Sequence, residues 1–341
     1  MAKATIYDIA EKSGFSVATV SKVLNNYKGV NAKTVEHVLE VSRSLNYTPN
    51  SIAQSLATKK SRLVGIVYGV SFGAMHPHLQ DILSSFKEVI ENHGYDVMYI
   101  NNKNNVHSSS YLEHCIYRQV EGVLVAVPRA AYSTVEALIN SSLPCVSVED
   151  IYDHAPSVIS DNRAGTIQML EHLYSLGHRK IGYIAGPLDT TAGGERYDAY
   201  IEFMRSRGLE INEKHVAVAD EFSIKDGYVA TNRLLSKCAN DMPTAIFCAY
   251  DELAYTTVET LTERGFRVPS DISVAGFDDI VISQCSSPKI TTIAQNRRAI
   301  GESAAQILLK MMSDDDYAPE NQTRIPTSLV VRGSTKKYRN K

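Results

Sequence analysis

The chain has 341 residues, of which 44% are hydrophobic and 21% are charged, and its formal net charge is -3. This length predicts two or three domains, each with enough residues for a buried core. No apolar run reaches the roughly 20 residues that span a bilayer, and the N-terminus lacks the apolar core of a signal peptide. We therefore expect a cytoplasmic protein that does not bind a membrane.

The charge is unevenly distributed along the chain. Residues 1–60 hold eight Lys or Arg and four Asp or Glu, a balance of +4, which leaves -7 for the remainder. Such a basic head suits contacts with the phosphates of a nucleic acid, because polyanion affinity comes from neutralised phosphates. The five cysteines are widely spaced and include no Cys-x-x-Cys pair. We expect reduced, mostly buried thiols, with no metal and no cofactor.

Two short helices are predicted within residues 5–25. Apolar residues recur at helical spacing after Thr5, a residue type that caps helices well. Residues 13–16 (SGFS) then predict a tight turn that contains a glycine, with Ser16 as the cap of the next helix. Two short helices joined by such a turn indicate a helix-turn-helix.

The second of these helices has two unlike faces. Its apolar side consists of Val20, Val23 and Leu24, and its short or polar side consists of Val17, Ala18, Ser21, Lys22 and Asn25. In a helix-turn-helix the second helix lies in the major groove, where short residues near the groove floor and a longer donor are needed. Val17, Ala18 and Lys22 meet that need. The alternative for this motif alone is a small helical bundle that does not bind nucleic acid.

A third helix, from Ala32 to Leu45, completes a predicted three-helix core. Its predicted inward face consists of Val35, Val38, Leu39 and Leu45. After Pro49, which favours a helix start, about seven helix-compatible residues follow. Because so few residues do not form a stable helix in water, we expect this segment to be ordered only when it is docked.

From Arg62 onward, strands alternate with helices. Runs such as LVGIV and GVLVAV are continuously apolar, as expected of strands covered on both faces. Strands are predicted at 63–68, 96–100, 122–127, 145–148, 180–185, 216–219, 245–249 and 273–276, with helices at 79–92, 109–118, 133–140, 162–176, 195–207, 225–236 and 252–264. A strand at 290–294, a helix at 298–311 and a strand at 328–332 end the chain. The pattern predicts two doubly wound parallel sheets.

Five stretches of the chain resemble the lactose-repressor/galactose-repressor family of bacterial transcription regulators, in matching order and spacing. They are 4–25 (ATIYDIAEKSGFSVATVSKVLN), 45–50 (LNYTPN), 176–187 (LGHRKIGYIAGP), 264–279 (RGFRVPSDISVAGFDD) and 287–293 (SPKITTI). The resemblance implies a small all-α helix-turn-helix head plus an α/β body, whose two doubly wound parallel-sheet lobes are of the periplasmic-binding-protein-like type.

The resemblance also implies a division of the chain into three parts. A DNA-binding domain comprises residues 1–48, a hinge helix and linker comprise 49–61, and a two-lobed effector-binding and dimerisation domain comprises 62–341. Lobe 1 is expected at about 62–160 and 294–325, and lobe 2 at about 161–290 and 326–341.

As a member of such a family, the protein is expected to be a repressor. It would bind a near-palindromic operator in double-stranded DNA as a homodimer, under the control of a small effector in the interlobe cleft. The effector classes that stay open are a sugar, a sugar phosphate or another metabolite, and a partner protein is a further candidate regulator. No leucine heptads of the kind that tie such dimers into tetramers occur in the C-terminal residues, so a dimer is the expectation.

The residues expected to contact DNA are assigned from the matching positions of the family. Val17, Ala18 and Lys22 would face bases, and the anchors of phosphates or of the helix would be Thr5, Tyr7, Ser16, Thr19, Ser21, Asn25 and Tyr47. The family usually has Arg at the position of Lys22, and Lys lacks the planar fork that grips guanine. In the hinge helix, Asn50, Ala53 and Leu56 are assigned to DNA, with Leu56 as a wedge in the minor groove.

Residues with expected effector contacts are assigned in the same way. They are His78, Leu79, Asp161, Arg196, Phe222, Tyr250, Asp251, Asp278 and Arg297. Asp278 also follows an apolar strand end, where ligands of doubly wound sheets collect. For Arg196 and Asp278 a structural salt bridge is the alternative, and for Phe222 it is core packing.

Three departures from the family pattern suggest a more basic cleft. Tyr250 and Asp251 stand where Asn and Asp are usual, His78 and Leu79 replace an aromatic pair, and Arg297 lies near a commonly apolar position. The sequence therefore predicts that a sugar phosphate or another anion fits as well as a plain sugar. The pair His76 and His78 has no carboxylate or thiol beside it, so we expect no metal there.

Enzymatic activity is not expected. The chain has no Gly-x-x-x-x-Gly-Lys-Ser/Thr, no Gly-x-Gly-x-x-Gly after the first strand and no Gly-x-Ser-x-Gly. A solute-binding protein is the other alternative, which the body alone would permit. The DNA-binding head argues against it.

Overall fold

The structure of the protein is a computed structural model, and it describes residues 4–25, 29–48, 55, 60–69, 77–100 and 110–339. The chain forms two compact units. The head contains the described residues up to Leu63 together with Gln119–Glu121, and the body contains the others. The head is all-α, and the body has two parallel sheets flanked by helices. The fold class predicted from the sequence is therefore confirmed.

Three helices form the head: α1 (Ile6–Ser13), α2 (Val17–Leu24) and α3 (Ala32–Ser44). Thr5 caps α1 in a capping box, because its side-chain oxygen accepts from the Asp8 backbone N–H at 3.4 Å and its own backbone N–H donates to the Asp8 carboxylate at 2.7 Å. Gly14, with φ of 71°, ends α1 in the left-handed conformation. Ser16 then caps α2 through its side-chain oxygen. Both predicted caps are confirmed.

The head core differs from the prediction on one face of α3. Ile9, Val20 and Val38 are fully buried between the three helices. Val41 is buried as well, whereas Leu39, predicted to point inward, is 37% exposed. The inward stripe of α3 follows three- and four-residue steps through residues 38, 41 and 45, and Leu39 lies on its flank.

Lobe 1 of the body is built on a six-stranded sheet with the order β11-β5-β4-β3-β1-β2. Its strands are β1 (Leu63–Tyr68), β2 (Asp96–Tyr99), β3 (Gly122–Ala126), β4 (Cys145–Val148), β5 (Ser157–Ser160) and β11 (Gln322–Ile325), and its helices are α4 (Pro77–Asn92), α5 (Tyr111–Arg118), α6 (Glu136–Ile139) and α12 (Arg297–Ser313). A 3-10 turn, Arg129–Thr134, precedes α6. The pairs β1–β3, β3–β4, β4–β5 and β5–β11 are parallel.

Lobe 2 is built on a four-stranded sheet with the order β7-β6-β8-β9 and parallel pairing. Its strands are β6 (Ile181–Ala185), β7 (Val216–Val218), β8 (Ala245–Cys248) and β9 (Ser273–Ala275), and its helices are α7 (Asn162–Ser175), α8 (Thr191–Ser206), α9 (Ile224–Lys237), α10 (Asp251–Glu263) and α11 (Val281–Cys285). A short 3-10 turn, Glu213–His215, precedes β7. Tyr183, Tyr200 and Phe247 are fully buried in the lobe 2 core.

Two further strands, β10 (Thr292–Gln295) and β12 (Thr327–Val330), pair antiparallel where the chain passes between the lobes. The chain enters lobe 2 after β5, returns to lobe 1 after β10, and leaves it again between β11 and β12. In lobe 1, α12 packs along α4. Both lobes therefore contain residues from distant parts of the sequence.

Three elements were not predicted, and one helix begins earlier than expected. β5 is only four residues long with serine at both ends, β11 is a polar edge strand with one buried residue, and α11 has only five residues. Helix α8 begins at Thr191 rather than Glu195. Its first turn contains Gly193, where a Cβ would lie 1.9 Å from the carbonyl oxygen of Pro187. A glycine pair is a poor helix signal in sequence, but close contact requires it here.

No helix in the described part of the chain is both long and apolar enough to cross a lipid bilayer.

Replacing Ile9 with Ala tests the size of the head core. We expect a loss of about 2–5 kcal/mol in the unfolding free energy of the head, because a buried Ile leaves a cavity in a small core. Hydrogen exchange of the amides in α1–α3 of the full chain measures this loss. Leu39→Ala is the control, and its effect should stay below about 1 kcal/mol. An equal loss in both variants would contradict the assignment of Leu39 to the surface.

Candidate functional site

The head presents one side of α2 to solvent. Ala18 and Lys22 are exposed and Val17 is half-buried, on a side of the helix away from the buried Val20 and Val23. Tyr7 of α1 is 70% exposed. Half-buried positions are occupied by Thr19, Ser21 and Tyr47. This surface offers small side chains beside a flexible cation, which suits the floor and edge of a DNA groove.

Three polar residues predicted as anchors stabilise the ends of α1 and α2. Thr5 closes the capping box with Asp8, and these backbone and side-chain hydrogen bonds lower the pKa of Asp8. Ser16 caps α2. The Asn25 side chain donates to the carbonyl of Ser21 at 2.9 Å. Their side chains thus fix the ends of α1 and α2, while the hinge residues Asn50, Ala53 and Leu56 lie outside the described residues.

A cavity with a free volume of about 50 Å³ lies between the two lobes of the body. It is lined from lobe 1 by His78, Leu79, Ala126, Val127, Val148, Glu149 and Asp150, from lobe 2 by Thr190, Ala192, Arg196, Phe222 and Asp278, and from the crossing strand by Gln295. The structure therefore brings together five of the nine predicted residues: His78, Leu79, Arg196, Phe222 and Asp278.

Arg196 and Asp278 form the polar floor of this cavity. The Arg196 guanidinium lies 3.3 Å from the Asp278 carboxylate and donates to the Asn162 side chain at 2.9 Å and the Ala249 carbonyl at 2.6 Å. Its planar face stacks 3.7 Å from the ring centroid of Phe277. Because the guanidinium is held on several sides, its orientation toward the cavity is fixed before any ligand binds.

Gln295 connects that floor to lobe 1. Its side-chain amide donates to the Asp278 carboxylate, and its carbonyl oxygen accepts from the Ser160 hydroxyl at the end of β5. Asp278 in lobe 2 and Ser160 in lobe 1 are thus linked through one residue of the crossing strand β10. A ligand that contacts Asp278 perturbs a network that spans both lobes.

The opposite walls are supplied by an acidic loop and by the ring of Phe222. His78 of α4 lies 3.0 Å from the Glu149 carboxylate, which follows β4. The Asp150 carboxylate accepts from the backbone N–H of Thr191 at 2.8 Å, so it also bridges to lobe 2. Across the cavity, the ring of Phe222 packs at 5.2 Å from that of Tyr250.

Four predicted effector residues do not line the cavity. Asp161 caps α7 by accepting from the Ala164 N–H. Tyr250 lies behind Phe222, and its hydroxyl donates to the carbonyl of Glu221. Arg297 points away from the cavity, toward Asp81 and backbone carbonyls of the turn at 278–279.

Asp251 is the fourth of these residues, and it is fully buried beneath the cavity floor. Its carboxylate accepts from the Thr292 hydroxyl at 2.6 Å and from the Ile280 N–H at 2.9 Å. Burial raises the pKa of Asp251 well above its usual value, and the nearby Asp278 raises it further. A Cβ at Gly276 would lie 2.3 Å from this carboxylate, so glycine is required there.

The sequence analysis missed Glu149, Asp150 and Gln295. Glu149 and Asp150 directly follow the buried strand β4, so the rule that ligands collect at the carboxyl ends of parallel strands could have found them. The lining contains three carboxylates against one arginine and one histidine. The expectation of a more basic cleft is therefore wrong, because Arg297 points elsewhere and two acids were not foreseen.

The structure describes one residue of the histidine pair at 76 and 78. His76 lies outside the described residues, and His78 faces Glu149. In the described ranges, no group of three or more His, Cys, Asp or Glu side chains is arranged to hold a metal ion.

Two protein-family models match this chain. Residues 5–50 match the family described as bacterial regulatory proteins, lacI family, and residues 170–335 match a periplasmic binding protein-like domain. Among curated proteins, the HTH-type transcriptional repressor PurR of Haemophilus influenzae strain PittEE is 33% identical over 338 residues, which are 98% of this chain and 99% of the relative. PurR of Pasteurella multocida strain Pm70 is 33% identical over 337 residues, with the same coverage.

Solved structures show the same architecture. The Lac repressor dimer bound to operator and the anti-inducer ONPF is 30% identical, with a TM-score of 0.81 over 98% of this chain and 100% of that one. A complex of the transcriptional regulator CelR with cellobiose is 26% identical, with a TM-score of 0.69 over 97% and 100%. Both similarities extend over head and body together.

Asp251→Asn tests the buried carboxyl group. The folded-state pKa of Asp251 lies above its unfolded value, so wild-type stability falls as the pH rises from the unfolded pKa to the folded one. The asparagine is uncharged and can keep hydrogen bonds to Ile280 and Thr292. We expect the melting temperature of the variant, relative to wild type, to rise between pH 5 and pH 8. With the exposed Asp153→Asn as control, no such trend should appear; a relative decrease for Asp251→Asn would contradict the assignment.

Proposed function

Since the chain belongs to the lacI family of bacterial regulatory proteins, and is thus a DNA-binding transcriptional regulator and not an enzyme, we propose that it is a repressor whose operator binding is controlled by a small molecule in the interlobe cavity. The observation that carries this proposal is the cavity wall, in which Arg196 and Asp278 of lobe 2 are linked through Gln295 to lobe 1. A ligand at this position contacts both lobes and stabilises one arrangement of them.

The effector class that the chemistry of the cavity lining favours is an uncharged sugar. Carboxylates and a guanidinium together accept from and donate to hydroxyl groups, and the Phe222 ring offers an apolar face to a pyranose or furanose. A phosphate group would meet the carboxylates of Glu149, Asp150 and Asp278, with Arg196 as the one guanidinium in the lining. Sugar-like ligands are also present in relatives, since CelR is solved with cellobiose.

A nucleobase is the second candidate effector. The ring of Phe222, which packs against Tyr250 with ring centroids 5.2 Å apart, provides an aromatic surface for a planar ring. Asp278 and Gln295 supply an acceptor and amide groups for ring nitrogens and exocyclic groups. Calorimetry distinguishes the two classes directly.

The DNA-binding unit would be a homodimer in the cytoplasm. The Lac repressor relative is a dimer bound to operator, and two copies of α2 would read two half-sites of a near-palindromic operator. We retain the division into a DNA-binding domain at 1–48, a hinge at 49–61 and a body at 62–341 as part of the proposal. In it, residues 50–57 form a helix when operator is bound and relay the state of the body to the head.

Lys22→Ala tests the proposed reading face. We expect operator affinity to fall by about 1–3 kcal/mol and base preference at one position in each half-site to relax, because a base-edge contact is lost. Binding to a duplex selected by the wild-type protein, and to its single-base variants, measures both effects.

Lys33→Ala on α3 is the matched control, because it removes an equal charge from another exposed position. Its affinity loss should be uniform across the duplexes, with unchanged base preference. If Lys22→Ala also weakens all duplexes equally, Lys22 is not a base reader. In the same complexes, hydrogen-exchange protection of residues 50–57 should appear only with operator, and equal protection in the free protein would contradict the proposed hinge.

Calorimetry of the full-length protein tests the effector class. Matched probes are glucose, galactose and ribose, their phosphates, the disaccharides cellobiose and lactose, and the nucleobases adenine, guanine and hypoxanthine. We expect one uncharged sugar to bind at least about tenfold more tightly than its phosphate and to change operator affinity, because a phosphate adds charge to an acidic cavity.

Phe222→Ala should weaken the binding of that sugar by about tenfold or more. Phe266→Ala, a half-buried phenylalanine of lobe 2 outside the cavity, serves as control and should leave the affinity unchanged. Tighter binding of the phosphate would contradict the uncharged-sugar assignment, and tighter binding of a nucleobase would establish the second candidate.

A further inference from the structure

The turn that presents Asp278 to the cavity has an unusual backbone. Asp278 and Asp279 have φ angles of 114° and 54°, in the left-handed region that non-glycine residues rarely adopt. Such a conformation persists only where surrounding contacts hold it, and it often marks a functional position. The contacts that hold this turn therefore determine where the Asp278 carboxylate lies.

Arg297 holds the turn from lobe 1. Its guanidinium donates to the carbonyl oxygen of Asp278 at 2.6 Å and to that of Asp279 at 3.4 Å. Its Nε donates to the Asp81 carboxylate of α4 at 2.8 Å. Since α12, which begins at Arg297, packs along α4, the arginine is anchored in lobe 1 and reaches the main chain of lobe 2.

The two faces of the turn have different partners. On the cavity side, the Asp278 carboxylate meets Arg196 and Gln295. On the other side, Arg297 binds the backbone and does not line the cavity. Helix α4 participates on both sides, because its first turn supplies His78 and Leu79 to the cavity and its Asp81 anchors Arg297. A shift of α4 is thus transmitted to Asp278.

We propose that Arg297 is a positioning residue for effector recognition: by clamping the Asp278–Asp279 carbonyls to Asp81 of lobe 1, it sets the position of the Asp278 carboxylate without touching the effector. This inference rests on the proposed effector function of the cavity. Through the contact made by Arg297, an effector that binds the Asp278 carboxylate acts directly on lobe 1.

Loss of this clamp should leave the protein folded. Within lobe 2, Arg332 binds the Asp279 carboxylate and also donates to the Ile290 carbonyl at 2.9 Å. The Ile280 N–H remains bound to Asp251. Asp81 has a largely exposed side chain and stays solvated without its arginine. A substitution of Arg297 therefore removes the attachment of this turn to lobe 1 and leaves its contacts within lobe 2.

The neighbouring Arg298 provides a matched control. It is an exposed arginine on the same helix, and it pairs with Glu88 at 3.2 Å and Glu302 at 2.6 Å, both in lobe 1. Arg298→Met therefore removes an equal charge and two ion pairs without altering a contact to lobe 2. Arg297→Met removes the clamp, and Arg297→Lys keeps the charge with a single donor group.

Two measurements on the full-length protein test the proposal. The first is hydrogen exchange at two backbone amides. The amide of Asp278 donates to the carbonyl of Ile293 at 2.7 Å, and the amide of Ile280 donates to the Asp251 carboxylate at 2.9 Å. Arg297→Met should accelerate both at least about tenfold, and Arg298→Met should not. The second is calorimetry with the tightest binder among the sugars and nucleobases named above. Its affinity should fall at least about tenfold in Arg297→Met and be partly restored in Arg297→Lys, whereas operator affinity without ligand stays within about threefold.

Equal effects of Arg297→Met and Arg298→Met, or wild-type behaviour of Arg297→Met in both measurements, would overturn the proposal. A purely structural role would lower the melting temperature and accelerate exchange across the lobe, without a specific loss of ligand affinity. If none of the probes binds the wild-type protein, the proposed effector function fails and the role in recognition fails with it. Accelerated exchange confined to residues 278–280 in Arg297→Met would then still show that Arg297 holds the turn.

Discussion

The side chains of Arg196 and Asp278 are only 4% and 6% exposed, and their charges face each other across 3.3 Å at the floor of the interlobe cavity. Removing either side chain would leave the other charge without its ion-pair partner in a poorly solvated site, and would lower the folding stability by about 3–5 kcal/mol. Neighbouring groups form hydrogen bonds with both members of this buried ion pair. The Asn162 side chain and the Ala249 carbonyl accept two further hydrogen bonds from the guanidinium, and the Gln295 amide donates to the carboxylate. A ligand entering the cavity meets groups whose positions are already fixed, so little ordering entropy is lost on binding.

A second acid, Asp251, lies beneath that floor and makes the arrangement sensitive to charge. Burial disfavours the charged form of Asp251, and the nearby Asp278 carboxylate disfavours it further, so the pKa of Asp251 rises. Asp251 nonetheless organises the same turn as Arg297, because it accepts the Ile280 N–H. The turn is thus bound by the Asp251 carboxylate of lobe 2 and by the Arg297 guanidinium of lobe 1. Because both lobes bind the same turn, the turn couples their positions.

The sequence predicts the fold class and the helix-turn-helix because both depend on local signals. Caps such as Thr5 and Ser16, and apolar strands separated by helices, are readable from residue types and spacing. The cavity is harder to predict, since it forms between distant segments. Strand ends could have identified Glu149 and Asp150, but Gln295 carries no periodic signal, as it lies on a crossing strand. Arg297 was assigned to the effector by its position in the family pattern. Its partners in the structure include backbone carbonyls, whose position depends on φ angles that no residue pattern specifies.

The antiparallel pair β10–β12 lies where the chain crosses between the lobes, and a further crossing follows β5. Because three separate chain segments connect the lobes, cleavage of any one of them would leave the lobes joined by the other two. The same connections limit the relative motion of the lobes to small, shared torsional changes in all three segments, since an independent change in one would strain the other two. The β10–β12 pair therefore favours rotations of the lobes in which all three segments move together.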